Sequence, residues 1–356
     1  MKEKDLYILK IGTNALIDDN GSVRDFILSE ILDVATKVLQ RGDHILVVTS
    51  GAVRLGRSML GDLKASKTIA ASVGQPTLFG YYQKKAKELN VTLAEFLLTR
   101  PYIVRRQQFL TLQKTYTELF EKGIVPIVNE NDAIVSGTDW SFGDNDSMAA
   151  ALAVSLKAKK LVIASHIDGL FDQDPTQNKD AKIISKVDNI SDEFLKYCSK
   201  NVSSNGSGGM LSKLKAARIC SAVGIETQII NGLVGENISK ALSNEQVGTY
   251  FEPRKVNEKI SNRERWILAA KNSAGSVEID DGAVKALRSG MSLLAVGVKR
   301  TYGQFEAKEV IEIIDKNSHG VAFGIVDMSK TEIESVLREN THKKQLVHAN
   351  NMFILK

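Results

Sequence analysis

Six short apolar runs punctuate the first 250 residues: YILKIG (7–12), HILVVTS (44–50), VTLAEFLL (91–98), IVPIV (124–128), KLVIAS (160–165) and ETQII (226–230). They are β-branched or Leu-rich and flanked by Gly, Ser, Asn or Thr, as strands buried on both faces are. The intervening stretches 24–40, 65–89, 105–122, 145–157 and 210–223 have helical length. In 24–40, Phe26, Ile27, Ile31, Val34 and Val38 recur at three- and four-residue steps, which predicts a stripe facing the core. This alternation predicts an α/β domain, with a mainly parallel sheet sandwiched by helices. Ligands of such sheets bind at the carboxyl ends of the strands, so the loops that follow the strands are where chemistry is expected.

The texture changes after Pro253. RKVNEKISNRER (254–265) reads as a linker or an exposed helix. Beyond it SLLAVG (292–297), EVIEII (309–314), GVAFGIV (320–326) and QLVHAN (345–350) read as strands, with one helix at 330–339. The expected division is therefore a domain over 1–252, a linker over 253–272 and a small, mostly β domain over 273–356.

Composition narrows the class further. The chain has 43% apolar and 25% charged residues, ordinary for a globular protein. No apolar run reaches the ~18 residues a membrane span needs. MKEKDLYILK is charged and then strand-like, unlike a signal peptide. Cys198 and Cys220 are too few for a disulfide framework, so reduced thiols and a cytoplasmic location are expected. The net charge of +5 hides no basic arm, since residues 271–356 carry twelve basic and eleven acidic side chains. Bulk charge therefore gives little support to nucleic-acid binding.

Several strand ends carry residues suited to anions. Lys10 ends the first run beside Gly12 and Asn14, where it can set a point charge on a phosphate or simply face solvent. Ser50 and Gly51 follow the second run and precede a helix, a layout that suits anion binding or a tight turn. NENDA (129–133) and GDNDS (143–147) gather Glu130, Asp132, Asp144 and Asp146 with Asn129, Asn131 and Asn145 within 18 positions. Such a cluster can bind an amino group, hold a divalent metal, fix lysines in place, or supply helix caps and turns. SNGSGGMLSK (204–213) is a glycine-rich loop running into a helix that carries Lys213, although its spacing is not the Walker pattern. DGLFDQDP (168–175) reads as a turn-rich loop. No G-x-G-x-x-G follows the first strand, and no paired C-x-x-C or H-E-x-x-H is present. Two lysines, acids and glycine loops at strand ends suit phosphoryl transfer, which relies on positioning and charge neutralisation.

ILKIGTNAL (8–16), VVTSGAV (47–53), ASVGQP (71–76), LLTR (97–100), IVNENDA (127–133), FGDNDSMAA (142–150), DGLFDQDP (168–175) and GSGGMLSKLKAA (206–217) together resemble the glutamate 5-kinase family of the amino-acid kinase superfamily. NRERWIL (262–268) resembles the segment leading into that family's C-terminal PUA domain, and 273–356 has the length of one. The resemblance implies ATP-dependent phosphorylation of the γ-carboxylate of L-glutamate, the first step toward proline, with Mg²⁺. It implies that Lys10 and Lys213 contact the ATP phosphates and that Asp146 holds the two lysines. Ser50, Asp132 and Asn145 would bind glutamate, with Asp144 supporting their loop. Ser165, His166 and the run Ser207, Gly208, Gly209, Met210, Leu211, Ser212 would line ATP. The family tends toward homo-oligomers, dimers or tetramers, and proline is a candidate feedback inhibitor. PUA domains bind RNA in many contexts, a rival reading that the +1 charge of 271–356 weighs against. One position departs from the family. Ser165-His166 stands where the family usually shows Thr-Asp or Ser-Asp, and His166 cannot reproduce a fixed negative charge.

Overall fold

The apolar runs become neighbours in one sheet in the computed structural model. It describes residues 4–61, 63–135, 141–175, 177–191, 194–195, 209–255, 260–270, 275–339 and 344–355. The chain divides into two compact units, 1–256 and 257–356.

The strands of the first unit are β1 (Leu6–Ile11), β2 (His44–Val48), β3 (Leu93–Leu98), β4 (Val125–Glu130), β5 (Lys160–Ser165), β6 (Lys186–Val187), β7 (Glu226–Asn231) and β8 (Thr249–Phe251). They lie in the order β3-β4-β2-β1-β5-β7-β8-β6. The six strands expected from the apolar runs all pair in parallel. β8 joins β7 antiparallel, and β6 pairs parallel with β8. These last two strands are three and two residues long, too short to show a pattern in the sequence.

Helices α1 (Asp25–Gln40), α2 (Ala52–Leu60), α3 (Lys67–Glu88), α4 (Arg106–Glu121), α5 (Asn145–Leu156), α6 (Met210–Ala222) and α7 (Glu236–Leu242) connect them. On α1 the residues Ile27, Ile31, Val34 and Val38 are buried, as their spacing predicts, and they join the core around Leu9 and Ile11. Phe26 departs from the expectation, being 57% exposed. It precedes Ile27, and one residue turns a helix by about 100°, which carries Phe26 off the stripe. α2 and α3 pack backbone to backbone. A Cβ on Gly56 would lie 1.8 Å from the Ala70 carbonyl oxygen, and one on Gly74 would lie 1.9 Å from that of Ala52.

The second unit contains α8 (Asn262–Ala270), β9 (Gly275–Ile279), α9 (Asp281–Arg288), β10 (Leu293–Leu294), β11 (Val298–Gly303), β12 (Val310–Ile314), β13 (Gly320–Ile325), α10 (Lys330–Arg338), β14 (Gln345–Val347) and β15 (Met352–Ile354). Five strands form a sheet in the order β11-β9-β12-β13-β15, and β10 pairs with β14. The run 292–297, expected as one strand, is strand only at 293–294. Ala295–Gly297 turn into a short 3-10 helix, and Gly297 presses so close to Ala283 that a Cβ there would meet its side chain at 2.5 Å. The stretch expected as a linker carries α8. Trp266, Ile267 and Leu268 are buried, and the helix packs on β13 and β15. α9 adds a further helix that the apolar runs did not announce. Its first turn is capped by Asp280, which accepts from the Ala283 amide at 2.8 Å.

Candidate active site

The carboxyl ends of the parallel strands gather the polar residues singled out from the sequence. Lys10 sits one residue before the end of β1, flanked in register by Val48 of β2 and Ile163 of β5. That central position buries it, leaving 6% exposed. A lysine so placed needs an anion. Asp146 provides it from the first turn of α5, with its Oδ1 2.7 Å from Lys10 Nζ. Lys213, in the first turns of α6, reaches the other oxygen at 3.0 Å. Ser212 Oγ also donates to Oδ2, at 2.7 Å. One fully buried carboxylate thus holds two buried ammonium groups from two separate elements.

The charges shape one another. Burial alone would raise the Asp146 carboxyl, but Lys10 and Lys213 outweigh it and hold the group at about 2. Burial pulls the Lys213 ammonium below the usual lysine range, with Asp146 opposing and Lys10 adding to the shift. Within this triad two cations face one anion, with the Asp144 carboxyl acting on both lysines, a protected setting suited to an incoming polyanion.

Asp144 caps α5. It accepts from the Ser147 amide at 2.7 Å and from Ser147 Oγ at 3.0 Å. Burial raises its carboxyl, and the charge of Asp146 adds to the effect. Asn145 donates through Nδ2 to the Thr49 carbonyl at 2.8 Å and to Asn129 Oδ1 at 3.0 Å. Ser50 Oγ lies 2.6 Å from Thr13 Oγ1. The following Gly51 has φ +109°, and a Cβ there would strike Ile17 at 2.6 Å, so this turn requires glycine. Asp132 follows β4 and pairs with Lys67 of α3 at 2.8 Å. Glu130 accepts from the Phe142 amide at 2.5 Å, and burial raises its carboxyl.

Ser165 ends β5 and is buried. His166 is exposed, and its Nδ1 lies 3.5 Å from Asn14 Nδ2. Burial, with Lys213 and Arg54 nearby, lowers the imidazole pKa and favours the uncharged ring. Gly209 is the N-cap of α6, and Met210, Leu211 and Ser212 form its half-buried first turn. Ser207 and Gly208 lie outside the described residues.

Lys67 and Gln75 escaped the sequence reading. Gln75 lies within the ASVGQP motif, but its partners stand 20 and 54 positions away. Nothing local reveals a contact of that range, and Lys67 is one of many surface lysines until α3 brings it to Asp132. Among the described residues, no group of three or more His, Cys, Asp or Glu side chains is placed to hold a metal ion.

The family model of the amino acid kinase family matches residues 5–231, and that of the PUA domain matches residues 275–345. The chain belongs to the amino acid kinase family and, within it, to the glutamate 5-kinases. A glutamate 5-kinase of Pelagibacter ubique is 36% identical over 342 residues, 95% of this chain and 92% of the relative. One of Gloeobacter violaceus is 37% identical over 94% of this chain and 92% of its own length. One of Geobacter metallireducens is 33% identical over 100% of this chain and 99% of its own.

Proposed function

We propose that the protein phosphorylates the γ-carboxylate of L-glutamate with ATP, giving L-glutamyl 5-phosphate and ADP, the first step toward proline. The observation that carries this reading is Asp146, fully buried and holding Lys10 and Lys213 on its two oxygens. The kinase family requires a nucleotide, and the glycine-led start of α6 beside Lys213 suits its phosphates.

The chemistry follows from charge. A γ-carboxylate oxygen attacks the γ-phosphorus of ATP, the new O–P bond forms, and the bond to the β,γ-bridging oxygen breaks to release ADP. The nucleophile is already ionised at pH 7, so no general base is needed. What must be overcome is repulsion between a carboxylate and a triphosphate. Lys10 and Lys213 offset it, and Asp146 keeps both ammonium groups in place before the substrates arrive. Magnesium would be held by the phosphates of ATP and would supply neutralisation of their charge.

The α-end of glutamate meets the other side of the site. Asp132, Asn145 Oδ1 and Ser50 receive its ammonium group, and Lys67 stands beside Asp132 to meet the α-carboxylate. Asp144 holds the loop through its cap on α5. Ser165, His166, Met210, Leu211 and Ser212 line the nucleotide, with His166 contributing its main chain because its ring supplies no fixed charge. Among the described residues no helix is long and apolar enough to cross a membrane. The biosynthetic reading places the enzyme in the cytoplasm as a homo-oligomer open to feedback by proline.

The test is ADP release from ATP and Mg²⁺ with L-glutamate, with aspartate and N-acetylglutamate in parallel and hydroxylamine as the trap. Glutamate-dependent ADP with a γ-hydroxamate product is expected. Equal or faster turnover of another acid would overturn the substrate assignment.

A further inference from the structure

A chain of side-chain amides leads out of the glutamate site to the edge of the sheet. Asn145 Nδ2 donates to Asn129 Oδ1 at 3.0 Å. Asn129 Nδ2 donates to Gln75 Oε1 at 2.7 Å, and Gln75 Nε2 donates to Glu95 Oε1 at 2.7 Å. Asn129 and Gln75 are buried, at 2% and 9% exposure, while Glu95 is exposed on the edge strand β3. Three elements contribute to the chain besides α5. Gln75 comes from α3, Glu95 from β3 and Asn129 from β4.

The chain has one polarity. A carboxylate only accepts, so Glu95 draws the Gln75 amide nitrogen toward itself and turns Gln75 Oε1 inward. That oxygen takes the Asn129 nitrogen, which leaves Asn129 Oδ1 for Asn145. Two backbone groups enforce the same sense. The Glu130 amide donates to Asn129 Oδ1 at 2.9 Å, and the Thr49 carbonyl accepts from Asn145 Nδ2 at 2.8 Å. Reversing a link would set acceptor against acceptor or donor against donor in a buried place and leave polar groups unsatisfied. The outcome appears at Asn145. Both of its N–H bonds are spent inward, and its Oδ1 accepts nothing among the described residues.

We infer that Gln75 and Glu95 are positioning residues for glutamate binding. Acting through Asn129, they hold the Asn145 carbonyl oxygen toward the substrate's α-ammonium group and keep the amide nitrogen away from it. The inference rests on the glutamate kinase reading above. Neither residue touches the reacting atoms, so the effect falls on glutamate binding and leaves the chemical step alone.

The experiment is steady-state kinetics of the full chain with ATP, Mg²⁺ and L-glutamate, with melting temperature measured alongside. Gln75→Glu places two carboxylates against each other, and their repulsion drives the side chain at position 75 off Asn129 Nδ2, so the glutamate KM is expected to rise about tenfold or more. The ATP KM and kcat should stay within about twofold. Adding Glu95→Gln to that variant restores a donor–acceptor pair of the same polarity, because the carboxylate introduced on α3 accepts from both sides. The double change should bring the KM back to near the wild-type value. Glu95→Ala, at an exposed position, covers the case in which the buried substitution fails to fold, and a rise of a few fold in glutamate KM with an unchanged melting temperature is expected. An unchanged glutamate KM in Gln75→Glu or, should that variant not fold, in Glu95→Ala would overturn the inference. So would a folded double variant that does not recover. A wild-type enzyme without glutamate-dependent ADP release would instead overturn the kinase reading itself.

Discussion

Lys10 and Lys213 show how much a single buried carboxylate can organise. Each lysine loses hydration that only an anion can replace, and Asp146 replaces it for both. Lys10→Ala or Lys213→Ala should therefore lower kcat by on the order of 10²–10³-fold, as removal of one charge-stabilising group from a transition state does. Glutamate KM should move little, and a wild-type kcat in either variant would remove the assigned role. Asp132→Ala should do the opposite, raising glutamate KM at least tenfold while kcat holds, as its proposed role at the substrate's α-ammonium end requires. Asp146 also ties the site to pH. Its carboxyl is held at about 2 in the native state, against 3.8 for an unperturbed side chain. A depressed carboxyl adds stability that is complete above the unfolded value and is lost as pH falls through the folded one. The stability advantage of wild type over Asp146→Asn should thus shrink by on the order of 2 kcal/mol between about pH 5 and pH 2. Urea unfolding of both proteins at a series of pH values measures it, and a difference that stays constant with pH would contradict the lowered carboxyl.

At the scale of elements, α2 and α3 carry the tightest constraint. Gly56 and Gly74 let the two backbones meet where a Cβ would lie within 2 Å of a carbonyl oxygen. Gly56→Ala must push the helices apart, and overpacking of this kind costs about 1–3 kcal/mol or more. Because α2 follows the Ser50–Gly51 turn and α3 carries Lys67 and Gln75, the same change should raise glutamate KM as well as lower the melting temperature. A variant that loses stability with an unchanged KM would separate that packing from the site. This pair also marks what was and was not legible in the sequence. The six parallel strands and five of the helices follow from apolar runs and periodicity, since each depends on residues close in the chain. Lys10, Asp146 and Lys213 stood out because strand ends and glycine turns are local too. Their mutual contact is not local, as 67 positions separate Asp146 from Lys213. α2, with Gly56 at its centre, shows no stripe long enough to read. Phe26 misled because it lies one step of about 100° outside the arc that Ile27, Leu28, Ile31 and Val34 bury. At 292–297, an apolar run concealed a 3-10 turn dictated by the close approach of Gly297 to Ala283.

At the scale of the whole chain, each of the two units holds a hydrophobic core cluster of its own. One is built around Leu9, Ile11, Ile27 and Val47, the other around Val277, Ile313, Ile333 and Leu346. The residues assigned to catalysis and substrate binding all fall in unit 1, residues 1–256. A domain owes its stability mainly to its own core, and the first unit is far above the size at which a single core becomes marginal. A protein ending at Val256 should therefore fold cooperatively and keep glutamate-dependent ADP release with kcat within about threefold of the full chain. The cut falls before α8, so it leaves the helix that packs on β13 and β15 with the unit it belongs to. A cut at 272 would instead strip α8 of β13 and β15, against which it packs, and should give a less soluble protein of similar kcat. Circular dichroism melting of the two truncations beside the kinase assay decides the matter. If the protein ending at Val256 melts cooperatively yet has no activity, the second unit contributes to turnover directly. If it does not fold, the core of the first unit depends on the second.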